Sequence, residues 1–238
     1  MMGRLSIGAT REVMASVARC VLGVGLLLGA SAGWRTHAAE RLGVVLLHGK
    51  HGTTEQLASY DEALTTLGIL ATRPEMCWSR RRIYDRAYLD CLRDIDAGIG
   101  KLKARGATDI VIAGMSLGAN AALAYCARHH DLKGVIALAP GHYPEFISRR
   151  PDIASNIDKA RAMLARGRGD EKTAFVDINT GQAFTVITTP KIYLSFLAAD
   201  SPAAMPANAA RITAPLLIVA GTNDPVQLGR DYIFARAP

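Results

Sequence analysis

"DIVIAGMSLGANAALAYCARHH", residues 109–130, sets an apolar β-rich run, a serine between two glycines and an alanine-rich stretch in direct succession. "DIVIAG" (109–114) reads as a buried strand and "LGANAALAYCARHH" (117–130) as a helix, which puts Ser116 at their junction. A strand that turns sharply into a helix lifts the side chain at the turn out of the sheet edge. Gly114 and Gly118 leave room for strand and helix to approach. The helix also points its first amides at the serine, where they can hold a negatively charged oxygen. A glycine-x-serine-x-glycine match alone is weak, and the strand before it and the helix after it give it weight. Ser116 is the candidate nucleophile.

Strands and helices alternate on both sides of this turn. "LGVVLL" (42–47) is a continuous apolar run, as expected for a strand buried on both faces. A helix over 54–68 follows, with Leu57, Leu64 and Leu67 near one face, then a strand over 69–74. A second helix over 85–106 is apolar at Leu89, Leu92, Ile95, Ile99 and Leu102 and closes at Gly106. "GVIALAP" (134–140) and "APLLIVAG" (214–221) supply two more strands. This is the signature of a mostly parallel, doubly wound α/β sheet. Residues 141–213 break the rhythm as a cap insertion, with a helix in "NIDKARAMLARG" and a hairpin turning at Asn179, Thr180 and Gly181.

The chain of 238 residues is half hydrophobic, enough for one domain with a substantial core over 39–238. Its formal charge of +7 falls to +4 without residues 1–38, too mild and scattered to argue for nucleic acid. Those first residues read as a signal peptide: arginines precede the apolar run "CVLGVGLLLGASAGW" (20–34), and "THA" (36–38) is small where a peptidase cuts. Met14 is an alternative start, and an uncleaved anchor is the competing reading. The run falls short of the ~20 residues that span a membrane, so export to a periplasmic or secreted location without stable membrane insertion is expected. In an oxidising compartment Cys77 and Cys91 either close a loop or stay as free thiols, with Cys126 buried.

Two further motifs join the serine turn: "HGKHG" (48–52) ends the first strand and "GTNDP" (221–225) ends the last. With "GMSLGA" (114–119) they make residues 42–225 resemble the α/β-hydrolase family. The resemblance implies Ser116 as nucleophile, the backbone amides of Leu117 and Lys50 as oxyanion hole, and Asp224 as the carboxylate that orients a histidine. It also implies hydrolysis of a carboxylic ester or related small-molecule acyl substrate through an acyl-enzyme. The family places the base histidine beyond the acid, and no histidine follows Asp224. Either the sequence stops short of the base or an upstream histidine substitutes, His142 in "APGHYPE" first and His51 next.

Each residue also has a plainer reading. His48 is either chemical or a structural hydrogen-bonding residue, the Lys50 side chain faces water, and Asp224 before Pro225 is a turn former. His129 and His130 close a helix whose dipole suits positive charge, and Arg80, Arg81 and Arg82 form a solvated face. No metal-ligand spacing and no glycine-rich dinucleotide turn is present, so no metal and no cofactor is expected. An inactive or binding protein on the same fold, and an acyltransferase or peptidase, are the alternative functions.

Overall fold

The computed structural model describes residues 41–221, 232–233 and 235–237. The signal peptide expected over 1–38 and Asp224 lie outside them. The strands are β1 (Leu42–Leu47), β2 (Leu70–Thr72), β3 (Asp109–Met115), β4 (Gly134–Leu138), β5 (Thr173–Asn179), β6 (Gln182–Thr188) and β7 (Leu216–Val219). Five of them form one parallel sheet in the order β2-β1-β3-β4-β7. β1, β3 and β4 are the inner strands, and β1 and β3 are paired from Leu42 opposite Asp109 to Leu47 opposite Gly114. The mostly parallel α/β architecture is thus as expected from the alternation of apolar runs.

The helices are α1 (Ala58–Thr66), α2 (Tyr88–Cys91), α3 (Arg93–Ala104), α4 (Leu117–Cys126), α5 (Pro144–Ile147), α6 (Pro151–Ala165), α7 (Pro190–Leu197) and α8 (Met205–Ala209). All ten residues of α4 are buried, as a helix apolar all round requires. Its alanines let it lie close on the sheet, in one core with Leu47 and Ile112.

Several boundaries differ from the sequence expectation, each for a local reason. Residues 54–57 form a 3₁₀ turn, and Leu67, left exposed, belongs to the turn that ends α1. The helix expected over 85–106 splits at Leu92, because Cys91 is tied to Cys77 by a disulfide (Cα–Cα 5.5 Å) and turns inward. Leu89 consequently faces solvent. Gly106, at φ +89, ends α3, with its own N–H on the Lys103 carbonyl and the Ala107 N–H on that of Leu102. Helix α4 stops at Cys126, so His129 and His130 lie beyond it: His129 stacks on Tyr125 at 3.9 Å and His130 Nδ1 lies 3.1 Å from Thr213 Oγ1.

Between β4 and β7 lie α5, α6, the antiparallel β5–β6 hairpin, α7 and α8. The hairpin turns at Thr180 and Gly181, both at positive φ, as a two-residue type I′ connection requires. Its inward positions include Phe175, Asp177 and Val186. Among the described residues no helix is long and apolar enough to cross a membrane.

Candidate active site

Ser116 follows the last residue of β3 and precedes α4, half-buried, with φ 55° and ψ −118°. A non-glycine residue in this region is strained, and the strain persists only where its surroundings fix it. Here they do. The Ser116 N–H donates to the Leu138 carbonyl of β4 at 3.0 Å, and its own carbonyl accepts from Ala119 and Asn120. A methyl group on Gly114 would sit 2.1 Å from the Gly118 carbonyl oxygen, and one on Gly118 would sit 2.2 Å from that of Leu47. Only glycines allow this turn.

Apart from Thr180 in the hairpin turn, the other positive-φ residues besides glycine follow strands of the same sheet. His51 follows β1, Ile83 and Tyr84 follow β2, and Ala139 and His142 follow β4, all at positive φ. Two of these loops touch the serine directly. A methyl on Gly141 would lie 2.9 Å from Ser116 Oγ, and one on Gly49 would lie 3.4 Å from Ser116 Cβ. The segments holding Lys50 and His142 therefore flank Ser116. Neither the Lys50 nor the Leu117 backbone N–H has an acceptor among the described residues.

His48 has a structural role. Its Nδ1–H donates to the Gly49 carbonyl at 2.8 Å and its Nε2 accepts from the Met76 N–H at 3.0 Å, so both ring nitrogens are committed. Burial holds its pKa below the usual imidazole value. The Trp78 indole N–H caps the His48 carbonyl at 3.0 Å.

The Lys50 side chain does not face water. It runs inward and donates to both oxygens of Asp177, at 2.8 and 2.9 Å, and to the Ile178 carbonyl at 2.8 Å. Asp177 also accepts from Tyr84 Oη at 2.5 Å and from the Ile178 N–H at 2.6 Å. Burial works to raise the Asp177 pKa, and the Lys50 charge with these hydrogen bonds outweighs it, leaving the carboxylate below its usual range. Desolvation and the neighbouring carboxylate push the Tyr84 hydroxyl well up.

His142 is buried, with Nε2–H donating to the Phe196 carbonyl at 2.9 Å and Nδ1 without a partner among the described residues. Burial, joined by the Lys50 charge, pushes its pKa down to about 3. Asn120, the polar residue of α4, holds this loop: its Nδ2 donates to the carbonyls of His142 and Ala203, both at 2.8 Å, and its Oδ1 accepts from Tyr88. His51 packs edge-on against Phe184 of the hairpin at 4.3 Å. Asp177, Tyr84 and Asn120 were not singled out from sequence. Asp177 left a signal, an acidic residue at the inward parity of "FVDIN"; so did Asn120, a polar residue in a helix otherwise apolar all round.

One more expectation about charge needs revising. Arg82 is not solvated: it donates to the Glu75 carbonyl at 2.7 Å and pairs with Asp85 and Asp94, while Arg81 pairs with Glu75 at the surface. A cavity of about 310 Å³ lined by Asp96, Tyr125 and His129 opens toward the amino end of β3, the opposite end from Ser116, and is not part of this site.

With the sheet order and the serine turn in place, the fold is that of the α/β-hydrolases. The chain matches no protein-family model and no curated protein by sequence. Among solved structures it is similar to DcsB in complex with a substrate analogue, at a TM-score of 0.60 and 14% identity over 84% of this chain and 80% of that one. Est1E from Butyrivibrio proteoclasticus with ferulic acid bound matches at 0.56 and 18%, over 83% and 76%. The monoacylglycerol lipase of Paleococcus ferrophilus matches at 0.51 and 18%, over 74% and 71%. At these identities the likeness is one of fold.

Proposed function

We propose that this chain is a serine hydrolase acting on a carboxylic ester or related small acyl substrate. The observation that carries the reading is Ser116 held at positive φ on the strand-to-helix turn by glycines that admit no side chain. In this reading Ser116 Oγ attacks the acyl carbon while its proton passes to a base, and the Leu117 and Lys50 amides stabilise the oxyanion. The alcohol leaves with that proton. Water then attacks the acyl-enzyme, releasing the carboxylic acid and restoring the serine. Asp224 would orient the base. Similarity of fold to esterases and lipases supports ester substrates, and the Cys77–Cys91 disulfide supports export to an oxidising compartment.

For the base, His142 is the candidate on the loop that flanks Ser116. Its Nδ1 lone pair has no partner among the described residues, and its basicity is weak, at about 3. That weakness favours a second reading, an inactive or binding protein on the same fold. The pH–rate profile of p-nitrophenyl ester hydrolysis separates the choices. A reaction driven by His142 keeps its neutral base down to about pH 3 and is lost in His142→Ala. A histidine near its ordinary value elsewhere loses activity below about pH 6.5. No turnover at any pH in a folded protein sinks the hydrolase proposal and leaves the binding reading.

A further inference from the structure

We propose that Lys50 and Asp177 are a positioning pair, holding the loop that carries the Lys50 amide where it completes the oxyanion site. The inference rests on the hydrolase reading of Ser116.

An ammonium group has three protons to donate, and Lys50 commits all three, two to Asp177 and one to the Ile178 carbonyl. Its charge is therefore spent inside the protein and does not recruit an anionic substrate. The two side chains are 4% and 0% exposed. Burying both ions costs several kcal/mol each before their attraction repays it, and an apolar pair of similar volume would join loop to hairpin at least as well. What the ion pair adds is direction. Five hydrogen bonds converge on the Lys50 ammonium and the Asp177 carboxylate, and Asn179 Nδ2 donates to the Lys50 carbonyl at 3.4 Å, gripping the backbone of the same residue. Gly49, one residue before, packs on Ser116, and His51, one residue after, is at φ 54°. A loop pinned on both sides of one amide, against the serine that needs that amide, is what placing an oxyanion donor demands. A misplacement of about 1 Å is enough to cost roughly 10²-fold in rate.

The test is the double variant Lys50→Met/Asp177→Leu, which removes both charges and keeps the packing. Two quantities are read: amide hydrogen exchange over residues 48–52 by mass spectrometry, and kcat and KM for a p-nitrophenyl ester with the rate of fluorophosphonate labelling at Ser116. Exchange in the loop is expected to rise at least ten-fold, with kcat and labelling down about 10²-fold and KM little changed. Loop exchange and kcat within two-fold of wild type in a folded double variant overturn the inference, even with the wild type fully active. A folded wild type that neither labels nor turns over overturns the hydrolase reading and the catalytic purpose of the pair with it, whatever the exchange does. Should the double variant not fold, Tyr84→Phe removes one hydrogen bond to Asp177 and leaves the charges paired. The same readouts are then expected to move about three-fold, and no movement overturns the inference.

Discussion

The two loops that meet at Ser116 are held in opposite ways. The turn from β3 to α4 is held by atoms that are missing, because Gly114, Gly118 and the alanines of α4 let backbone lie directly on backbone. The loop after β1 is held by atoms that are added: a lysine, a carboxylate, a tyrosine hydroxyl and an indole N–H. The difference teaches what each can tolerate. The first admits no side chain, whereas the second is expected to admit a neutral pair in place of its charges, at the cost of the hydrogen bonds from Tyr84 and Ile178.

The largest effect is expected where a side chain is forced into the first loop. Gly118→Ala puts a methyl 2.2 Å from the Leu47 carbonyl oxygen, and backbone on both sides leaves no rotamer to relieve it. A loss of more than about 4 kcal/mol in urea unfolding, or failure to fold, is expected. A variant as stable as wild type would break the contrast between the two loops. Next comes the second loop with one partner removed. Asp177→Asn leaves the Lys50 charge buried without its counter-ion and should cost about 3–5 kcal/mol, most of which the double variant Lys50→Met/Asp177→Leu should recover. Equal losses in single and double variants would mean that packing, not charge, holds this loop.

Smaller still is the disulfide. Cys77 and Cys91, 14 residues apart, enclose Trp78 and Tyr84, the residues that reach the His48 carbonyl and Asp177. Replacing both with alanine should cost about 3 kcal/mol and bring the midpoint of the oxidised protein to that of the reduced one. Unchanged stability would remove the disulfide from the support of the β1 loop.

Taken per pH unit, the smallest effect is one of slope. The folded-state pKa of His142 lies near 3, below its ordinary 6.5, so between these values the unfolded chain binds the extra proton. Stability should therefore fall as pH drops from about 6.5 toward 3, by up to about 1.4 kcal/mol per pH unit for this residue. His48, shifted in the same direction by burial, adds to the fall. His142→Gln should flatten the slope in that window when unfolding is followed by urea at a series of pH values. An identical slope would mean that His142 is not buried as a neutral ring.

The same contrast explains what was legible in the sequence. The serine turn, the sheet and the hairpin were, because each is written in adjacent residues: an apolar run, a glycine two places from a serine, an Asn-Thr-Gly between alternating segments. The Lys50 side chain was not, because its partner lies 127 residues away on a hairpin whose docking no local pattern specifies. The same holds for Arg82, whose partners depend on a loop with no repeating period. His48 was legible as polar at a strand end, and its role became clear only when Met76 and Gly49 took up both nitrogens. Asp224 lies outside the described residues.

The most direct test of the central claim is covalent labelling of the purified protein with a fluorophosphonate, beside Ser116→Ala, with the modified peptide located by mass spectrometry. A single adduct on Ser116, absent from the alanine variant of equal stability, is the expected result. A folded wild-type protein that takes up no probe, or one labelled equally in both forms, would contradict the assignment of Ser116 as an activated nucleophile.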